Sequence, residues 1–400
     1  MTTTAERTSR WARRFVLAGV GFLLAWQVLV VAGAGRRTTV ALGVLGFVLH
    51  TAFGKAYSLV PTYFDRDLAT TRFVPAHFAC SVVGTTLLAI DRVAGVELAD
   101  TVGSALWCVG VALFLGTILW SVRDNPTGRE TGTGTANADR RDVDRVANAF
   151  VPVALAYLAI GSYALFAVET PLPTVFDGYG PRSSHLLAAG AAGLLLFAVG
   201  FRLLPRFLVA SPPRSLLWTV LPAGAIGPGL IAATLPAGPW FRVGAVVQAL
   251  AVGGFALAVS LMVRESSRDR VGLYGVLVGA WAGVAGVVIG GGVATGAVVP
   301  GAITAHARLN VLGFLGLSIV GVSYQFYPPS VGTFPGASDR GAAAALALLG
   351  AGLAIEVVGL LGPADGLEPV VPLGRLGALV GAGAHAYLLV NLFRERYWNW

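Results

Sequence analysis

Twelve apolar runs, each of roughly 20 residues, divide this chain, and that length constrains its fold more than any motif does. A run of this kind closes its backbone hydrogen bonds internally as a helix, which is how an open chain crosses hydrocarbon. The runs lie near 15–34, 38–64, 74–90, 101–122, 150–168, 185–210, 216–235, 243–263, 271–299, 303–327, 341–361 and 371–393. Charged residues make up 12% of the chain, about half of the ~25% usual in soluble domains. The expected fold is all-α: a multi-pass protein of the cell membrane with about 12 transmembrane helices. The first run is long enough to remain as a helix, and no cleavable signal precedes it.

The net charge is +8, which invites a nucleic-acid reading. The distribution of the charge argues against one. Twenty of the 27 arginines fall in loops on one side of the expected membrane, among them Arg7, Arg10, Arg13, Arg14, Arg140, Arg141, Arg394 and Arg396. Six fall on the other side, Arg36, Arg37, Arg92, Arg182, Arg242 and Arg375, and Arg308 lies within a span. The positive-inside rule therefore predicts cytoplasmic termini at both ends. The expected partner is the lipid bilayer, not nucleic acid. Cys80 and Cys108 sit singly in apolar runs and read as small core residues, with no disulfide framework or metal knuckle.

The chain divides into residues 1–122 with four spans, a polar stretch at 123–148, residues 149–263 with helices five to eight, and residues 264–400 with helices nine to twelve. The stretch 123–148 contains T-G-T-G-T-A-N with mixed Arg and Asp, and reads as a flexible cytoplasmic linker. Span two repeats in span ten: Gly46, Gly54, Tyr57 and Pro61 match Gly313, Gly321, Tyr324 and Pro328, each 267 residues on. Span six joins in part, because His185 to Gly200 and His306 to Gly321 are both 15 residues and Pro205 ends that helix. Three four-helix units follow, with small residues at matching heights that let helices approach closely.

Span ten reads H-A-R-L-N-V-L-G-F-L-G-L-S-I-V-G-V-S-Y-Q-F-Y-P-P from His306. With twelve spans in groups of four and histidines on spans six and ten, the chain resembles subunit I of the haem-copper oxidases. It looks closest to the branch of high-affinity oxidases and nitric oxide reductases. In that family two histidines one residue apart open helix ten. His306 stands at the first, which implies a ligand of high-spin haem iron. Arg308 stands at the second, where the family has a low-spin haem ligand. His185 looks like the copper ligand of helix six. The resemblance implies haem, with copper as a further metal, an electron-transfer partner or partner subunit, and a place in respiration or nitrogen-oxide metabolism. The chain departs from the family at Thr39, which stands where another low-spin ligand belongs. It also departs at the seventh span, which has no paired histidines. Haem- and copper-containing membrane proteins of the NnrS type are a second relative that the chain resembles.

Taken singly, these residues carry competing meanings. His306 reads as an iron or copper ligand, or as a histidine bonded to a neighbouring helix. His185, at a helix start, reads as a ligand or an interface histidine. His50, deep in span two, reads as an alternative ligand, a proton carrier or a buried hydrogen-bonding residue. Arg308 points about 200° away from His306. There it can bind propionates through a bidentate fork or snorkel to the outer interface. Glu356, the one carboxylate well inside a span, can be protonated, pair with an arginine or serve a proton path. Lys55 reads as a snorkelling residue, His77 and His385 as structural ones, Tyr57 and Tyr324 as interface anchors, and the terminal R-E-R-Y-W-N-W as a membrane anchor. Gly290, Gly291 and Gly292 read as a packing feature. Besides the oxidase-like reading, a transporter or metal-handling permease fits glycine- and proline-interrupted helices, and a membrane scaffold without cofactor completes the field.

Overall fold

The computed structural model describes residues 3–94, 97–297, 299–362, 367 and 369–397. Twelve long helices follow in chain order: α1 (Thr4–Val31), α2 (Arg36–Tyr63), α3 (Val74–Ala94), α4 (Glu97–Val122), α5 (Arg141–Ala167), α6 (Gly180–Leu208), α7 (Arg214–Thr234), α8 (Pro239–Glu265), α9 (Val271–Thr295), α10 (Ala302–Val331), α11 (Asp339–Leu361) and α12 (Val370–Tyr397). Among the described residues there is no strand. Eleven of these helices are long and apolar enough to cross a membrane, and α3 offers a shorter apolar stretch, Val74–Ile90. Exposed Trp120, Trp218, Trp240, Trp281, Val288 and Leu373 turn large apolar surface outward, as lipid-facing helices do.

Helices α2, α6 and α10 depart from α geometry in the same way. Each opens with a short α-helical turn and widens into a π-helical stretch, at Leu42–Leu49, His185–Gly193 and Leu309–Leu317, before returning to α geometry. Leu42 and Leu309 are 267 residues apart, the offset of the sequence repeat. All three stretches are built of Leu, Gly, Ala and a few larger apolar side chains. Glycine tolerates the wider turn without a Cβ to crowd the preceding one. Pro61 and Pro205 sit near the ends of α2 and α6, and Pro328 follows the α-helical part of α10.

Contacts divide the chain into two compact units that cut across the three groups of four. The first comprises Met1–Gly19, Val44–Leu203 and Pro213–Ala251. Its core is an aromatic nest in which Phe15, Phe53, Trp107 and Phe114 surround His50 and His77, with ring centroids 4.7 to 6.1 Å apart for pairs such as Phe53–His77 and His50–Trp107. The stretch 123–148, expected as a flexible linker, is folded against Arg202 in this unit. The Arg202 guanidinium donates to the carbonyls of Tyr63 (3.0 Å) and Thr131 (2.8 Å) and to Asn148 Oδ1. It also pairs with Asp144 at 3.5 Å and lies over the Tyr63 ring at 4.0 Å. Asn125 and Asn148 donate to the carbonyls of Phe64, Glu130, Tyr63 and Gly128. Polar composition had the look of a linker because the organising cation lies more than fifty residues further on.

The second unit comprises Val20–Gly43, Leu204–Pro212 and Val252–Trp400. A glycine stripe on α9 receives α10 along its length. Gly272 and Gly321 face one another so closely that a Cβ on either would strike the other's carbonyl oxygen. At the far end a Cβ on Gly290 would come within 2.7 Å of the His306 ring. Helices α11 and α12 approach in the same manner at Gly374, whose bare Cα lies against the backbone of Glu356. At the C-terminus Glu395 accepts from the Thr333 amide and hydroxyl. Trp398 and Trp400 of the expected anchor lie outside the described residues.

Replacing Gly321 by Leu forces α9 and α10 apart. The expected cost is about 1–3 kcal/mol, read from unfolding in detergent. Gly291→Ala, with nothing near the added methyl, is expected to leave that curve unchanged.

Candidate functional site

The two faces of α10 do different work. His306 turns to α9: its Nδ1 lies 2.8 Å from the Gly286 carbonyl oxygen, and Asn310 Nδ2 is 3.3 Å away. Two residues on, Arg308 faces the other way, into the second unit. It is 4% exposed, so it does not snorkel. Its Nε donates to Glu356 Oε2 at 2.8 Å and its Nη2 to Gln27 Oε1 at 3.0 Å. Trp26 lays its ring 5.1 Å from the guanidinium carbon. Glu356, fully buried, spends its second oxygen on Arg375 Nε at 3.1 Å. Of the three roles open to Glu356, pairing with arginine is the one observed.

Four helices thus deliver one ionic cluster: Trp26 and Gln27 from α1, Arg308 from α10, Glu356 from α11 and Arg375 from α12. Such groups stay buried only when paired and hydrogen-bonded, because removing an ion from water costs several kcal/mol, roughly, even after relaxation. The glycine approach at Gly374 brings α12 near enough for its neighbour Arg375 to reach α11. Beside the cluster lies a cavity of about 160 Å³, lined by Trp26, Val30, Arg36, Thr39, Arg308, Val311, Glu356 and Arg375 among others. Its rim includes exposed Arg36 and Gly33. Three donors in this region have no acceptor: Arg308 Nη1, Gln27 Nε2 and Trp26 Nε1.

The remaining candidate ligands lie in the first unit. His50 is buried, with Nδ1 2.7 Å from the Leu45 carbonyl oxygen. His185, half-buried at the start of its π-helical stretch, places Nδ1 2.7 Å from the Pro181 carbonyl oxygen. A carbonyl only accepts, so Nδ1 carries the proton in His50, His185 and His306, and the lone pair is on Nε2. That is the tautomer of a histidine that ligates metal through Nε2. Among the described residues no three His, Cys, Asp or Glu side chains gather as a metal site. The residues around His306 do not fit a haem. Its ring is wedged against Gly290, and it does not line the neighbouring cavity. That cavity is smaller than the roughly 300–1,000 Å³ of sites for drug-sized ligands. No expected copper set is completed either.

His77 and His385 each pair with a tyrosine at matched repeat positions: Tyr57 OH to His77 Nδ1 at 2.8 Å in the first unit, and Tyr324 OH to His385 Nδ1 at 3.0 Å in the second. Both tyrosines are buried, so they hold helices together and do not anchor at an interface. Sequence reasoning missed Trp26, Gln27 and Arg36 as site residues, and counted Arg375 only as a loop charge. The available signal was Glu356 itself, since a deep carboxylate demands a cation. The chain matches no protein-family model and no curated protein.

Removing the shared carboxylate with Glu356→Gln leaves two guanidinium groups without their counter-ion. The expected loss is about 3–5 kcal/mol of stability. In a double-mutant cycle with Arg308→Met the two losses are expected to be less than additive.

The outer loop is pinned by a fork, Arg182 Nε and Nη2 donating to the two oxygens of Asp177 at 2.8 and 3.0 Å. Hydrogen bonds from Arg182, then from the Tyr179 amide, hold the Asp177 carboxyl below the usual carboxylate range. A depressed value means the fork stabilises the loop above the ordinary aspartate pKa of about 4 and loses that effect as pH falls through the lower folded value. Limited proteolysis within 169–179 is expected to quicken on acidification below about pH 4, and Asp177→Asn is expected to abolish the pH step.

Proposed function

We propose that this chain is a cell-membrane protein with twelve crossings and both termini in the cytoplasm. It is built on a haem-copper-oxidase-like frame and works through a small-solute site at Arg308, Glu356 and Arg375, as a transporter does. The observation that carries this reading is the polar cavity beside a buried, over-subscribed carboxylate, entered past Arg36. Alternation of arginine between loops supports the orientation, with α3 as the twelfth crossing. The shared 267-residue register of two π-helical stretches and their matched glycines supports the oxidase-like frame. Gly/Pro-interrupted helices around a buried polar site are a recurrent transporter arrangement.

A second reading keeps respiratory metal chemistry, with haem or copper on His306, His185 or His50. The observation favouring it is the common Nδ1-to-carbonyl bond of those three histidines, which leaves Nε2 as an acceptor.

Reduced-minus-oxidised spectra with iron and copper analysis of the detergent-purified protein separate the two. The transport-type reading expects a colourless preparation without stoichiometric metal, and an unchanged spectrum in His306→Ala. A haem band that disappears in His306→Ala would instead establish the respiratory reading.

A further inference from the structure

We infer that the cavity beside Arg308 receives a small anionic oxygen group: a short carboxylate or an inorganic oxyanion such as nitrate, or the phosphate of a lipid headgroup. The inference rests on the proposed solute site and names its ligand class.

Charge count comes first. Arg36, Arg308 and Arg375 line the cavity and Glu356 is the one carboxylate among its lining residues. A structural ion pair would be neutral, whereas this wall carries two positive charges beyond its acid. A cation would add to that excess, so the field selects an anion.

Hydrogen bonding agrees. The unfilled groups on the facing side chains are all donors, Arg308 Nη1, Trp26 Nε1 and Gln27 Nε2. What is missing is therefore an acceptor. Glu356 cannot supply it, because its two oxygens are already taken by Arg308 Nε and Arg375 Nε. Engaging the guanidinium at Nε and Nη2 fixes its plane and leaves Nη1 to meet a ligand oxygen. Arginine presents a planar fork suited to carboxylates and oxyanions.

Size sets the upper bound. A cavity of about 160 Å³ equals the liquid volume of about five waters at ~30 Å³ each. That accommodates one small oxyanion with a little hydration and excludes a macrocycle or nucleotide. Val30, Val40 and Val311 supply the apolar remainder of the wall, which fits a ligand carrying a short hydrocarbon part.

The test uses the full chain in nanodiscs and reads the thermal unfolding midpoint. In phosphatidylcholine discs, sodium formate and sodium nitrate are titrated at ionic strength held constant with choline chloride. A second set of discs contains phosphatidylglycerol. A ligand that binds only the folded state raises the midpoint in proportion to its saturation. A saturable rise with formate or nitrate is expected, and half-saturation is expected to move about tenfold or more higher in Arg308→Gln, the loss of a charge-assisted hydrogen bond. Arg36→Gln, at an exposed rim position outside the buried cluster, is expected to weaken binding while leaving the unliganded midpoint in place. It decides the matter if Arg308→Gln does not fold. A rise confined to phosphatidylglycerol discs and lost in Arg36→Gln also supports the anionic site, with lipid phosphate as its occupant. No rise in either set of discs, or equal rises in wild type and both variants, overturns the inference. A rise with sodium or ammonium that disappears in Glu356→Gln overturns the anion while leaving the solute-site reading standing.

Discussion

A carboxylate with no water around it must be met by cations held in place by something else, and Glu356 shows what that requires. Its two oxygens are shared between Arg308 and Arg375, so the rotations of α10 and α12 about their axes are tied to that of α11. Gln27 and Trp26 on α1 close the remaining side of the Arg308 group. The apolar surfaces of these helices can slide or rotate past one another at little cost, because Leu and Val contacts are interchangeable. The ionic contacts cannot. In lipid, where the hydrophobic effect does not discriminate between helix faces, such a cluster selects one register.

Bare glycine surfaces provide the proximity on which the cluster depends. Side chains reach each other across α11 and α12 because Gly374 admits the backbone at Glu356, and α10 beds into α9 because the residues between Gly272 and Gly290 present almost no side chain there. The first unit solves the comparable problem with Arg202, whose guanidinium gathers three carbonyl-rich turns and a buried aspartate. Both units therefore use a single guanidinium as a multi-pronged connector, which its five donors suit.

The all-helical, multi-span architecture was legible because each span announces itself by length and polarity alone. The repeat was legible too, since Gly46, Gly54, Tyr57 and Pro61 recur at one offset. Two things were not. Pairing between helices is a property of rotation and tilt, so Arg375 read as a loop charge although its side chain turns back to a helix. The order of 123–148 was hidden because its polar residues look solvated until Arg202 is known to be their partner. Arg308 illustrates the boundary: helix geometry alone correctly set it opposite His306, but could not say whether that direction led to headgroups or to a buried acid.

The wide turns in α2, α6 and α10 have a bearing on how such a frame can change over time. A π-helical stretch holds its hydrogen-bond ladder with an extra residue accommodated. Loss or gain of one amino acid there need not break the helix. It swings everything downstream by about 100°, exchanging which side chains look inward. In α2 that set includes His50 and Tyr57, which lie beyond Leu49. Single-codon insertions or deletions at these three places would thus offer a frame of this kind a short evolutionary route between one inner lining and another.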